Sequence, residues 1–378
     1  MRFSDIHHQP RAISLLRRAL ASRRTHHAHL FDGPEGVGKE RTALALAARL
    51  LCEDESLPRD ADACGACRSC QLFDAGNHPD YHLIHRGLHK FHPDRSVRAT
   101  KGLFLAVDVI RHFVIEPANQ TPSLGRRRVF IIRDAERMNA GAQNALLKTL
   151  EEPPGAACLV LVTSSSQRLL PTIRSRCQHI AFDLLPPVYI EQRLAGECGL
   201  DSGDARALAA LSQGRLGVAL AWHHAGLLEA ISPIVALIAR RAFADPEAFG
   251  KAAIEHATSL AAAAAAENAE DAPDRAGGES KPSASKAPDT DQLRVGVRLV
   301  FMLVGAACRD AMLIGAGCDA MLALPALRDT LAPLAGTAGL PDAIEAIAHA
   351  EAMLDRNVAP QLTCECLAVA LGEHLSAA

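Results

Sequence analysis

The stretch Leu30 to Arg41, LFDGPEGVGKER, constrains the fold more than any other part of the chain. The apolar run His29-Leu30-Phe31 leads into Gly33-Pro34-Glu35-Gly36-Val37-Gly38-Lys39, and an alanine- and leucine-rich segment follows from about Arg41 to Leu51. Strand, glycine loop and helix in that order make a phosphate-binding loop of the G-x-x-x-x-G-K form. Gly33, Gly36 and Gly38 let backbone N–H groups turn inward around an anion, and Lys39 adds a point charge. The next residue departs from the pattern. Ser or Thr there would set a hydroxyl on Mg²⁺, whereas Glu40 sets a carboxylate facing the phosphates, where like charges repel. The expectation is a loop that keeps the means to hold ATP and is poorly equipped to hydrolyse it.

Downstream, strands and helices alternate. Arg126-Arg127-Arg128 precede the apolar run Val129 to Ile132, which ends in Arg133-Asp134-Ala135-Glu136. A carboxylate just past a buried strand is where a nucleotide-binding fold holds Mg²⁺, with a second acid polarising water, so Asp134 and Glu136 are candidates. A helix over Ala140 to Glu151 is stopped by Pro153-Pro154. A strand over Cys158 to Val162 ends at Thr163, a further candidate cofactor contact, and a last strand is expected near His179 to Phe182. This alternation predicts a mostly parallel sheet covered on both faces. Upstream, Ile13, Leu16 and Leu20 recur at helical spacing, with Arg17, Arg18, Arg23 and Arg24 on a solvated face.

Cys52, Cys64, Cys67 and Cys70 form a separate group, the last three within CGACRSC. Four thiolates so spaced can close a tetrahedron around Zn²⁺, leaving no open position, so the metal would be structural. With eleven cysteines in all, an odd number, a complete disulfide framework does not fit. The other seven read as small core residues. His78, His82, His85, His89 and His92 read as surface or structural, because the thiolate set is already complete.

From Leu184 the pattern turns helical, with helices expected near Val188 to Glu197, Ser202 to Ser212 and Leu216 to His224, and longer ones beyond. Residues 267–291 are rich in Ala, Pro, Ser, Gly, Asp and Lys, lack apolar periodicity, and are expected to be a disordered insertion. A length of 378 residues implies two or three domains. The formal charge of −3 argues against a chain that holds nucleic acid by a strong basic field. With no apolar run of about 20 residues and no signal-peptide pattern, the expectation is a cytoplasmic protein with no membrane partner.

GPEGVGKE, the four-cysteine group, RRRVFIIRDAERMNAGAQNALLKTLEEPP and LPTIRSRC occur in the order found in bacterial clamp-loader AAA+ subunits, which this chain resembles over about residues 5–225. The resemblance implies α/β plus all-α architecture. Residues 1–183 would form an AAA+ P-loop domain with a zinc module at 52–70, residues 184–225 a helical lid, and residues 226–378 a helical collar domain for oligomerisation. It implies gamma/tau and delta subunits as partners, and contact with a sliding clamp and primed DNA through the complex, at the nucleoid-associated replisome. It also assigns Arg176, in Ser175-Arg176-Cys177, as an arginine finger acting on a neighbour's nucleotide.

Motor subunits of that family carry Thr where this chain has Glu40, and a lid arginine where it has Gly217; Arg215 lies two residues early, over half a helical turn away. A chain without cis machinery but with the trans arginine is expected to be a non-motor, stator-like subunit of the DNA polymerase III holoenzyme with negligible ATPase activity of its own. Two other functions stay open at this point. An active AAA+ ATPase would draw on the intact glycines, Lys39, Asp134 and Glu136, and a zinc nucleic-acid module would show DNA affinity in the isolated chain.

Overall fold

The computed structural model describes residues 1–22, 25–100, 102–124, 126–270 and 290–375, with the side chains of 263–270 outside the description. The chain divides into two compact units, Met1–Leu185 and Pro186–Ala378.

The first unit contains α1 (Pro10–Ala21), β1 (Ala28–Asp32), α2 (Lys39–Leu51), α3 (Arg68–Asp74), β2 (Tyr81–Ile84), β3 (Arg128–Ile132), α4 (Ala140–Glu151), β4 (Ala157–Thr163), α5 (Pro171–Arg174) and β5 (Gln178–Ala181). Its five strands run parallel in the order β2-β3-β4-β1-β5. Side-chain alternation along each strand sorts the core into two layers. Phe31, Ile131, Val160 and Ile180 pack against Leu16 and Leu20 of α1 and Leu46 of α2. Leu30, Ile132 and Leu161 pack on the other face against Val109, Leu146, Leu150 and Ile173. Every residue of β4 is buried, so its sequence shows a continuous apolar run rather than alternation.

Local chemistry sets the element ends. Asn139 caps α4 by accepting from the Ala142 N–H at 2.8 Å. A single helix is the sequence expectation for Val107 to Val114. The structure instead has one turn at Val107–Ile110, a π-helical turn at Arg111–Ile115 and a short turn at Glu116–Ala118. β2, which carries little apolar signal, pairs with β3 from Tyr81 opposite Val129 to Ile84 opposite Ile132. Arg128 is buried at the start of β3, 3.5 Å from the fully buried Asp80, and its guanidinium donates to the Pro117 and Thr121 carbonyls. The arginine triplet is therefore not all surface charge.

The second unit is helical in its described residues: α6 (Pro187–Cys198), α7 (Ser202–Ser212), α8 (Leu216–His224), α9 (Leu227–Ala239), α10 (Pro246–Glu270), α11 (Thr290–Gly315), α12 (Leu340–Asp355) and α13 (Pro360–Leu375), with short turns between. Asp201 caps α7, accepting from the Gly203 and Asp204 N–H groups. Asp310, fully buried in α11, accepts from the Leu324 N–H at 2.7 Å and pairs with Arg309. The insertion expected at 267–291 lies for the most part outside the described residues, which run to Glu270 at the end of α10 and resume at Thr290. One expectation is corrected. Cys318 and Cys366 are exposed rather than core residues, the first in the turn after α11 and the second facing away from buried Cys364 on α13. Among the described residues no single helix is long and apolar enough to cross a membrane.

Candidate functional site

The phosphate loop connects β1 to α2, and two of its glycines are dictated by geometry. A Cβ on Gly33 would lie 2.5 Å from the Phe182 carbonyl oxygen, a contact no side chain tolerates. Gly38 caps α2 at φ 99°, a left-handed conformation that glycine adopts without strain. Gln9, which sequence reasoning missed, ties this loop to the chain leaving β5. Its side-chain amide donates to the Val37 and Asp183 carbonyls and accepts from the Asp183 N–H. A glutamine ahead of an amphipathic helix carries no motif signal that would single it out.

Lys39 is buried, and its Nζ donates to the Gly33 and Pro34 carbonyls at 2.6 and 2.5 Å. Burial lowers its pKa, opposed by the nearby Glu136, Glu35, Asp32 and Asp134 carboxylates. Glu136 accepts from Thr163 Oγ1 at 2.8 Å and Ser164 Oγ at 2.6 Å, so two of the candidate cofactor contacts are joined directly. Burial raises the Glu136 pKa, but the hydrogen bonds from Ser164 and Thr163 more than offset it and the net shift is downward. Asp134, at φ 48°, is half exposed and lies 3.9 Å from Arg86. Glu40 does not simply face the phosphate position, as the sequence suggested. It accepts from Arg133 Nε at 2.7 Å, which neutralises its charge.

The four cysteines come together. Their sulfurs all lie within 4.8 Å of one another, a set that could hold a metal ion. Backbone N–H groups point at the sulfurs: Cys64 N at Cys52 Sγ (3.5 Å), Cys67 N at Cys64 Sγ (3.2 Å) and Cys70 N at Cys67 Sγ (3.4 Å). Such donors favour thiolates, the form that binds metal. At Cys64 burial raises the pKa, but the Ala66 and Cys67 N–H groups outweigh it and bring the thiol to about 7. Burial pushes the Cys52 and Cys70 thiols up instead. The donor set and its spacing suit tetrahedral zinc. Of the nearby histidines, His78, His89 and His92 are buried. His78 has a clear structural place, since its Nε2 lies 2.8 Å from Ser69 Oγ, which donates to the Leu51 carbonyl, and its Nδ1 accepts from the Asp80 N–H. The imidazole thereby joins the ends of α2 and α3 to the start of β2.

Arg176 lies in the loop between α5 and β5, one residue short of the strand's flanking Cys177. It is about one third exposed, pairs with Glu151 at the end of α4 (Nη2–Oε1 2.5 Å), and donates to the Thr172 carbonyl at 3.0 Å. In the second unit Arg215 stacks over Trp222 and donates to the Ser212 carbonyl.

A parallel sheet ordered β2-β3-β4-β1-β5, with a glycine loop after β1 and an acidic pair after β3, gives the first unit the architecture of an AAA+ P-loop domain. Residues 8–186 match the family model described as DNA polymerase III, delta subunit. DNA polymerase III subunit delta' of Pseudomonas aeruginosa is 44% identical over 154 residues, covering 40% of this chain and 41% of that protein. Subunit delta' of Bacillus subtilis is 39% identical over 186 residues, covering 49% and 51%. Subunit gamma/tau of Mycobacterium tuberculosis is 35% identical over 196 residues, covering 52% and 31%. Residues 8–186 are therefore similar to delta' subunits of DNA polymerase III. The matches span about half or less of these relatives' own length.

Proposed function

We propose that this chain is a non-motor subunit of the DNA polymerase III clamp loader. In this reading it works beside gamma/tau and delta subunits to load the sliding clamp onto primed DNA, in the cytoplasm at the replisome. Residues 1–183 serve as the nucleotide-type domain, 184–225 as a lid and 226–378 as the oligomerisation domain. Zinc on Cys52, Cys64, Cys67 and Cys70 orders the segment between α2 and β2 and takes no part in chemistry.

The observation that carries this reading is Glu40, which stands at the Mg²⁺ hydroxyl position and is bound to Arg133. Gly217 is a second departure, standing where motor subunits carry a lid arginine. Gly33, Gly36, Gly38, Lys39, Asp134, Glu136 and Thr163 keep the outline of a nucleotide site without the Mg²⁺ hydroxyl and the lid arginine. Arg176 acts in trans. Its planar guanidinium can make paired hydrogen bonds to phosphate oxygens and offset charge developing in transfer, after exchanging Glu151 for the neighbour's nucleotide.

Reconstitution of the complex with Arg176→Ala tests this. One motor site should slow by a finger-like factor of about 10³ or less, with only partial loss in the summed ATPase rate and with assembly and zinc content intact. Arg176→Lys should not rescue the rate, because a point charge cannot reproduce the fork. Unchanged clamp loading by the alanine variant would remove Arg176 from the mechanism.

The joined Glu136–Thr163 pair and Lys39 favour one second reading, an active ATPase. Robust turnover by the purified chain, abolished by Lys39→Ala, would establish it.

A further inference from the structure

P-loop hydrolases hold Mg²⁺ between the hydroxyl that follows the loop lysine and an acid just past a nearby strand. In this protein the hydroxyl position holds a carboxylate, and that carboxylate is already bonded to a cationic side chain from the end of a nearby strand. Glu40, in the first turn of α2, occupies the hydroxyl position; Arg133 is the first residue past β3, directly before Asp134. The two side chains meet at 2.7 Å across 93 residues of sequence, each about 30% exposed. A guanidinium has no lone pair to give a metal, and its charge repels a second cation. With its carboxylate held by that guanidinium, the Glu40 position as arranged does not fit Mg²⁺.

We propose that the Glu40–Arg133 pair is a built-in replacement for the divalent cation of the phosphate loop, the two residues being a coupled exchange. The guanidinium bridges the start of α2 to the end of β3, which is the mechanical task of the ion, and the site takes no Mg²⁺. Electrostatics favour the exchange. Asp32, Glu35, Asp134 and Glu136 already act on Lys39, and an uncompensated Glu40 would add another negative charge to that group. Either substitution alone leaves a mismatch: Glu40 without Arg133 deepens the acidic field, and Arg133 without Glu40 loses the carboxylate it is bonded to. Glu40→Thr alone therefore leaves the cation's place filled by Arg133, and a metal-binding site requires both changes. This inference rests on the non-motor reading and gives its physical cause.

The test is ATP binding to the full-length chain by titration calorimetry, in Mg²⁺ and in EDTA. The proteins are the unaltered chain, Glu40→Thr, Arg133→Asp and the double variant. Circular dichroism and zinc content establish that each is folded. The unaltered chain should show no gain in ATP affinity from Mg²⁺, including the case of no binding in either buffer. The double variant should bind ATP about tenfold or more tightly in Mg²⁺ than in EDTA, about 1.4 kcal/mol. Each single variant should melt below the unaltered chain, and the double variant should recover part of that loss. A tenfold Mg²⁺ effect in the unaltered chain, or none in a folded double variant, overturns the proposal. Failure of the non-motor reading has a separate signature, ATP turnover by the unaltered chain.

Discussion

His29 is the second residue of β1 and has no exposed surface, and neither ring nitrogen makes a well-formed hydrogen bond among the described residues. Burial, aided by the neighbouring His26 and opposed by the His26 backbone, lowers its pKa from 6.5 to about 4. The folded protein thus binds fewer protons than the unfolded chain between those values. Its contribution to stability is fully present above pH 6.5 and is lost as pH falls toward 4. At about 1.4 kcal/mol per tenfold change in proton affinity, the loss approaches about 3 kcal/mol. His29→Leu removes the titrating group at similar volume. At pH 7.5 the variant should be at least as stable as the parent, because an unpaired buried imidazole is exchanged for an apolar side chain. Between pH 6.5 and 4.5 the parent should lose stability relative to the variant by about 2 to 3 kcal/mol. His78 and His85, whose pKa values burial also lowers, are present in both proteins and cancel in the difference. The assay is urea unfolding followed by far-UV circular dichroism. Trp222 is the chain's sole tryptophan and lies in the second unit, so its fluorescence identifies that unit's transition. Parallel pH profiles for the two proteins, or a variant more than about 2 kcal/mol less stable at pH 7.5, would refute the argument by revealing a partner for the ring.

Protein purified without chelator should carry one zinc per chain, and Cys64→Ser should lose it along with protection of the segment between α2 and β2 in hydrogen exchange. Gly33→Ala should destabilise the first unit by several kcal/mol, read as a lower melting temperature, because its Cβ would meet the Phe182 carbonyl at 2.5 Å. Asn139→Ala removes the cap of α4 and should cost about 1 kcal/mol in chemical unfolding.

The parallel sheet was legible because a glycine loop fixes what precedes and follows it, and because buried parallel strands such as β4 are continuous apolar runs. α4, α7 and α8 were legible to the residue, since Pro153-Pro154 and the caps Asn139 and Asp201 mark chemical boundaries. β2 was not, because Tyr-His-Leu-Ile has no strong period and draws its burial from β3 and Phe73. The cysteine quartet could be grouped by spacing alone, whereas Gln9 and His78 act through backbone groups far along the chain and leave no pattern.

Charged residues were the hardest to place, for a single physical reason. A sequence gives the sign of a charge but not its partner, and the partner sets its effect. Arg128 stands in a basic triplet whose sequence does not mark any member as buried, and it is a buried clamp on Asp80. Glu40 looked like a repulsive carboxylate and is neutralised by Arg133. Arg176 is a finger by resemblance, and in the structure it rests on Glu151. In the first case burial makes the pair costly to break, because the remaining charge would be stranded away from water. In the last, with one third to one half of each side chain exposed, the pair is weak enough to exchange for a stronger acceptor. A phosphate presenting several anionic oxygens is such an acceptor, so the Glu151 pairing is compatible with action in trans.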